Sequence, residues 1–205
     1  MSKPRILVAV LSGSERDRWI SSQLFEGILA LQLDGRMSIL VTTSSIDRYE
    51  VARNSCVRLA RDMQADFLVM VDNDMVLPMG FPNILYDVTH AAKPIVGFPS
   101  ARINHDGSIS SLTPHDNGEK DGEFQRTGHV GSGLLILSSE VWRVMPRGPW
   151  FRWLTNDDEL LSRKLSEDYA FCELAQAHGL QVWSHQSTAG HLKTSDITRR
   201  QKGAI

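Results

Sequence analysis

The sequence predicts an α/β fold: a single domain whose mostly parallel central sheet is flanked by helices. Three observations carry that reading. Continuous apolar runs rich in β-formers recur, as at Ile6 to Leu11, Phe67 to Val71 and Leu134 to Leu137, and such runs are strands buried on both faces. Segments with apolar residues at helical spacing lie between them. Gly, Ser, Asp and Asn supply the turns. A chain of 205 residues is long enough for one such domain with a sizeable core.

Pro4 to Leu11 is the first strand and ends in a turn at Ser12-Gly13-Ser14. Ile20, Leu24, Ile28 and Leu31 mark the stripe of the first helix, which Asp34-Gly35 stops. Met37 to Thr42 is the second strand, and the hydroxyls that follow it through Ser45 suit either a helix cap or contacts to a ligand. A longer helix runs from Ile46 to Met63, with Ala52, Cys56, Leu59 and Met63 on one face. The run at Phe67 is the third strand. The order β-α-β-α-β with right-handed crossovers gives a doubly wound sheet.

Pro82 fits the first turn of a short helix reaching His90, and Lys93 to Phe98 is another strand. Ser100 to His129 is rich in Gly, Ser, Asp, Asn and His and reads as a long, partly hairpin excursion; loops of that length are usually functional or disordered. Val130 to Leu137 is a strand led by Gly131 and Gly133. That Gly-x-Gly precedes a strand, so it is no dinucleotide fingerprint and suits close approach of two backbones. Ser138-Ser139-Glu140 caps a helix carrying Val141, Trp142 and Met145. Pro146 to Lys164, with Trp150, Phe151 and Trp153, then Asn156 to Glu159, is either a core plug or a stacking surface. Ser166-Glu167-Asp168 opens the last helix, Gly179 stops it, and Gln181 to His185 is a closing strand before Gly190-His191. Residues 1–192 form the domain; the polar, basic tail at 193–205 is expected to be mobile unless it closes over a ligand.

The net charge of −2 gives no general attraction to nucleic acid or to an anionic membrane, though it leaves room for a local basic patch. No apolar run approaches transmembrane length, and Met1 to Pro4 leads straight into a strand instead of a signal peptide, so the expected compartment is the cytoplasm. Cys56 and Cys172 lie in helical patterns, read as buried thiols, and offer no metal-ligand spacing.

The chemistry concentrates where the third strand ends. Asp72 and Asp74 leave it at spacing i, i+2, and ligands of open α/β sheets bind beyond the carboxyl ends of such strands. Two carboxylates leaving a buried strand together repel unless a cation sits between them, and Mg²⁺ or Mn²⁺ suits an oxygen-rich site that also holds a substrate phosphate. Asp-Asn-Asp is also good turn chemistry, so a plain turn stands beside the site reading.

Taken in order, several stretches resemble the GT-A glycosyltransferases, especially their family 2-like group. They are Ile6 to Leu11, Ala52-Arg53-Asn54, Ala65 to Asp74, Lys93 to Gly97, Gly131 to Ile136, Glu167 to Cys172 and Gly190-His191. The resemblance spans nearly the whole chain and rests on the ordered set, since Asp-x-Asp alone is common by chance. It implies the GT-A (Rossmann-like) fold, with a small antiparallel acceptor-side portion. It also implies a metal-dependent enzyme moving a sugar, with inversion, from a nucleotide-diphosphate sugar, UDP-glucose by default, to an acceptor hydroxyl. Asp72-Asn73-Asp74 would be the Asp-x-Asp motif, Asp74 ligating Mn²⁺ or Mg²⁺ directly and Asp72 holding the ribose, or the metal through water. His191 would complete the metal site, or else is a surface histidine. Ser12, Thr42, Thr43, Arg53 and Gly133 would belong to the nucleotide pocket, although Arg53 also reads as a solvated helix charge. Asp168 would be the general base that takes the acceptor's proton, at a helix N-terminus that favours its ionised form; Glu167 is the fallback base or an acceptor ligand. Acids at a helix start are also ordinary caps.

Two departures stand out. Ser166 replaces the glycine that often precedes the Glu-Asp pair, and the usual C-terminal extension is missing. The acceptor side must then come from 100–129, from 150–159, or from a partner subunit of a homo-oligomer. The acceptor itself, whether glycan, protein, lipid-linked sugar or modified nucleobase, is left open. Three rivals remain. Asp72 to Val76 fits the nucleophile motif of haloacid-dehalogenase-like phosphatases, but that motif belongs on a first strand and two strand–helix units precede it here. A sugar nucleotidyltransferase needs a Gly-rich, basic loop after the first strand, which Leu11 to Arg16 fits poorly. A catalytically inactive GT-A module for glycan or protein binding would not need Asp72, Asp74, Asp168 and His191 together.

Overall fold

The computed structural model describes residues 3–12, 20–44, 48–103, 109–112, 118–153 and 166–192. Gly13-Ser14, Ile46, Asn156 to Glu159 and the tail at 193–205 lie outside the described residues, as do parts of the 100–129 excursion.

The first half is the expected alternation: β1 (Arg5–Leu11), α1 (Ser22–Asp34), β2 (Ser38–Ser44), α2 (Tyr49–Asp62) and β3 (Phe67–Asp72). A short β4 (Met75–Val76) follows the Asp-Asn-Asp turn, then α3 (Phe81–His90) and β5 (Ile95–Gly97). The excursion holds β6 (Ser100–Ile103), β7 (Ile109–Leu112), β8 (Lys120–Asp121) and β9 (Phe124–Arg126). The chain closes with β10 (Leu134–Ser138), α4 (Ser139–Val144), α5 (Glu167–Ala177), β11 (Val182–His185) and β12 (Ala189–Leu192).

The eight-stranded main sheet has the order β2-β1-β3-β10-β5-β11-β9-β8. β1 pairs in parallel with β2 and β3, and β5 with β11. β10 inserts antiparallel between β3 and β5, so the sheet is mixed. An apolar run such as Leu134 to Leu137 has the same sequence whichever way it points, and its direction is set by where the preceding excursion returns. A second sheet, β4-β12-β6-β7, begins with the short strand that follows β3 and brings His191 beside Met75.

Alternation within the central strands builds two cores. Ile6, Val8 and Val10, with Val69 and Val71, pack under α1 and α3 through Leu24, Ile28, Leu31, Phe81 and Leu85. Leu7, Ala9 and Leu11, with Leu68 and Met70, pack under α2, α4 and α5 through Cys56, Val57, Val141 and Phe171. Helices on both faces explain why these strands read as unbroken apolar runs.

Helix ends follow their local chemistry. The Leu24 N–H donates to Ser21 Oγ at 3.1 Å, capping α1, and Gly35 terminates it at φ 73°, a conformation costly for other residues. The expected face of α2 needs correction. Ala52 and Cys56 are buried as expected, but Leu59 and Met63 are 38% and 42% exposed, whereas Glu50, Arg53, Asn54 and Val57 are buried, because Arg53 and Asn54 find partners at Asp72, Glu167 and Phe151. Trp150 and Phe151 are a core plug, with Phe151 stacked on Phe171 at 4.4 Å, while Trp153 is exposed. Both cysteines are free and buried, and burial pushes the Cys56 thiol up to about 11.

Candidate functional site

Asp72 is the last residue of β3. Its N–H donates to the Gly133 carbonyl at 2.9 Å, and the Asn73 N–H donates to the Leu11 carbonyl at 2.8 Å. These bonds tie the acidic turn to the ends of β1 and the strand-leading glycine. A Cβ at Gly133 would sit 3.1 Å from Met75 Sδ, so what packs closely on this glycine is a side chain and not the second backbone that the sequence suggests. Ser12 lies one residue beyond Leu11, with its N–H and hydroxyl both on the Ser44 carbonyl. Thr42 and Thr43 occupy the outer strand β2, paired with Ala9 and Val10.

The centre of the cluster is Arg53. Its Nη1 donates to Glu167 Oε1 at 2.8 Å, and its Nη2 donates to Asp72 Oδ1 at 3.0 Å. The guanidinium is 2% exposed and lies against the Tyr49 ring at 4.9 Å. It is therefore a buried link between β3 and α5 and not a solvated charge. Two carboxylates on one guanidinium leave the trio with excess negative charge. Burial pushes the Asp72 carboxyl up to about 7; Arg53 and His191 oppose the rise, while Asp74 and Glu167 add to it. Burial likewise raises Glu167, again against the pull of Arg53.

Asp74 has a different partner. Its Oδ2 meets His191 Nε2 at 2.9 Å, and its carbonyl accepts the Leu192 N–H at 2.8 Å. The expected three-residue metal set, Asp72, Asp74 and His191, is thus not one cluster: Asp72 faces Arg53, and among the described residues no three His, Cys, Asp or Glu side chains are placed to hold a metal. The Asp74–His191 pair fits a divalent ion as two donors, one carboxylate and one imidazole. Two donors match sites in which phosphate and water complete the shell, and they do not suit an all-protein cage.

Glu167 and Asp168 open α5. Glu167 is buried on Arg53. Asp168 is only partly buried, and Oδ1 takes both the Ser166 hydroxyl and the Tyr169 N–H. Its Oδ2 lies 4.0 Å from the position a Cβ would take at Gly131. The two acids therefore divide, one engaged in the protein and one partly open.

Asn54 stands in the Ala52-Arg53-Asn54 stretch, but the sequence assigns it no role. Its Oδ1 accepts the N–H groups of Trp150 at 2.8 Å and Phe151 at 3.1 Å. Its Nδ2 donates to the carbonyls of Glu50 and Phe151, both at 2.7 Å. It staples the 149–153 segment to α2. The available signal was an amide in a helix interior, where Asn is a poor helix former.

No protein-family model matches the chain, and no curated protein matches it. Among solved structures, A197 from STIV is similar over 91% of this chain and 85% of that one, at 15% identity and a TM-score of 0.55; the two share a mixed α/β fold. Apo UDP-glucose pyrophosphorylase aligns over 90% of this chain and 74% of that one, at 8% identity and a TM-score of 0.45. No helix among the described residues is long and apolar enough to cross a membrane.

Proposed function

We propose that this chain is a GT-A glycosyltransferase that moves a sugar from a nucleotide-diphosphate sugar, with a UDP-sugar as the first donor to test, onto an acceptor hydroxyl with inversion. The observation that supports it best is the division of labour among the acids at the strand ends: Asp72 and Glu167 on Arg53, Asp74 on His191, and Asp168 partly open. A turn that merely reversed the chain would need none of these partners.

Asp74 and His191 would hold a Mn²⁺ or Mg²⁺ ion, which when bound offsets charge on the departing diphosphate. Asp72, aimed by Arg53, has carboxylate oxygens for the ribose hydroxyls. Ser12, Thr42 and Thr43 border the same strand ends. The acceptor oxygen attacks the anomeric carbon, the bond from that carbon to the diphosphate oxygen breaks, and the electron pair leaves with the nucleotide. Asp168 takes the acceptor's proton, since Glu167 is already engaged by Arg53.

Titration of UDP-glucose with and without Mn²⁺, on the wild type and on Asp74→Asn, tests the reading. Metal-dependent binding weakened at least about tenfold in the variant is expected from the loss of a charged ligand. Metal-independent or unchanged binding would overturn the donor-site assignment.

A further inference from the structure

We propose that the cavity between α2, along its face from Arg48 to Arg58, and the 149–153 segment is the acceptor subsite, and that it takes a sugar bearing a phosphate. The proposal rests on the glycosyltransferase reading above and adds to it the class of acceptor.

The cavity has a volume of about 440 Å³, and its rim carries Arg48, Arg58, Arg152 and Trp153. That volume suits a small ring compound with a charged group. Its apolar lining is Pro149, Phe151 and Val51, of which Phe151 is buried. Arg58 and Arg152 are exposed and make no ion pair among the described residues, while Arg48 pairs with Glu50. Guanidinium groups at a concave mouth match the oxygens of a phosphate, which they bind in pairs. The Trp153 ring, 54% exposed, offers a flat apolar face to the carbons of a sugar ring.

The wall is built in advance. Three hydrogen bonds of Asn54 clamp the 149–153 segment to α2, so little ordering is left for the ligand to induce. The cavity also adjoins the chemistry. Glu50 and Asn54 line it, and Arg53 on the same helical turn holds Asp72 and Glu167. Phe151 in the lining stacks on Phe171 of α5, the helix that carries Asp168.

A polyanion is a poorer match. Nucleic-acid binding uses a long stripe of cations, whereas here the arginines ring one cavity on a chain of net charge −2. In the transfer, the phosphate would anchor the acceptor and a free ring hydroxyl would react. Its oxygen forms the new bond to the donor's anomeric carbon, its proton goes to Asp168, and the donor's diphosphate leaves with the electron pair.

The test is binding to the full chain of glucose-6-phosphate, glucose, inorganic phosphate, phosphatidylcholine vesicles carrying polyprenyl phosphate-linked sugar, and a single-stranded oligonucleotide. UDP-glucose with Mn²⁺ is titrated in parallel. The expected result is that glucose-6-phosphate or the loaded vesicles, which distinguish a free from a lipid-linked source, bind at least about tenfold tighter than glucose or phosphate alone. Arg58→Gln with Arg152→Gln, and separately Trp153→Ala, should each weaken that binding about tenfold and leave UDP-glucose binding unchanged. No phosphosugar binding beside normal donor binding overturns the subsite and spares the glycosyltransferase reading. Failure of donor binding overturns that reading and the acceptor role with it. Tighter binding of the oligonucleotide than of any phosphosugar overturns the assignment in favour of nucleic acid.

Discussion

Arg53 Nη2 lies 3.0 Å from Asp72 Oδ1, and the same guanidinium lies 2.8 Å from Glu167. One buried cation thus joins the end of β3 to the start of α5. Removing one partner of such a pair strands the remaining charges in the interior, which typically costs about 3–5 kcal/mol. Arg53→Met is expected to lower stability by about that much in urea denaturation, and Arg53→Lys by less, since an ammonium keeps the charge and loses the planar fork. A loss below about 0.5 kcal/mol for Arg53→Met, the range of ordinary surface changes, would mean the link has no structural weight.

Asp168→Asn should separate binding from transfer. The amide keeps the size of the side chain and cannot take a proton, so donor affinity is expected to stay within about twofold while transfer falls by about 10²–10⁴, the usual worth of a general base. Single-turnover transfer from UDP-glucose, read beside donor titration, decides it. Retained transfer would move the base role elsewhere.

Asn54→Ala is expected to destabilise the chain by about 2–4 kcal/mol, because it removes the partner of the Trp150 and Phe151 N–H groups and of the Phe151 carbonyl. Near-ultraviolet circular dichroism should report loosening around Trp150. An unchanged melting curve would refute the staple.

Gly97 in β5 faces Val130, and a Cβ there would sit 2.4 Å from Val130 Cβ. Gly97→Ala should therefore cost about 1–3 kcal/mol through overpacking. Adding Val130→Gly, which removes the colliding atom, should recover part of the loss; a double variant no better than the sum of the singles would argue against the clash.

His185 is buried beside Phe98 and Phe124, and its Nδ1 accepts the Ser187 N–H at 3.0 Å. Burial lowers its pKa below the usual 6.5. The unfolded chain then binds the proton first, so this residue makes stability fall as pH drops below about 6.5 toward the lowered folded value. Glu167, whose carboxyl is raised, contributes the opposite slope over its own range. The difference between wild type and His185→Phe isolates the imidazole: the variant should lose less stability between about pH 7.5 and pH 5. Parallel pH profiles would count against a neutral His185.

Much of the fold was legible locally. The unbroken runs at Ile6, Phe67 and Leu134, the cap at Ser138 and the stops at Gly35 and Gly179 each depend on neighbours a few residues away, which a linear reading sees directly. The exposure of Leu59 and Met63 is not legible in the helical pattern, because α2 turns polar residues inward, toward partners that its own pattern does not contain.

The sequence by itself determined an α/β chain with two acids leaving a buried strand, because apolar periodicity and turn chemistry are short-range effects. Tertiary structure alone decided what those acids do. Arg53 and Glu167 are separated by 114 positions, and Asp74 and His191 by 117. No spacing along the chain encodes such distances; they follow from the β2-β1-β3 order, the antiparallel entry of β10 and the pairing of β12 with β4 just after β3. Packing then turned Asp72 toward Arg53 and Asp74 toward His191, because a half-buried carboxylate settles where a cation or a hydrogen-bond partner already stands.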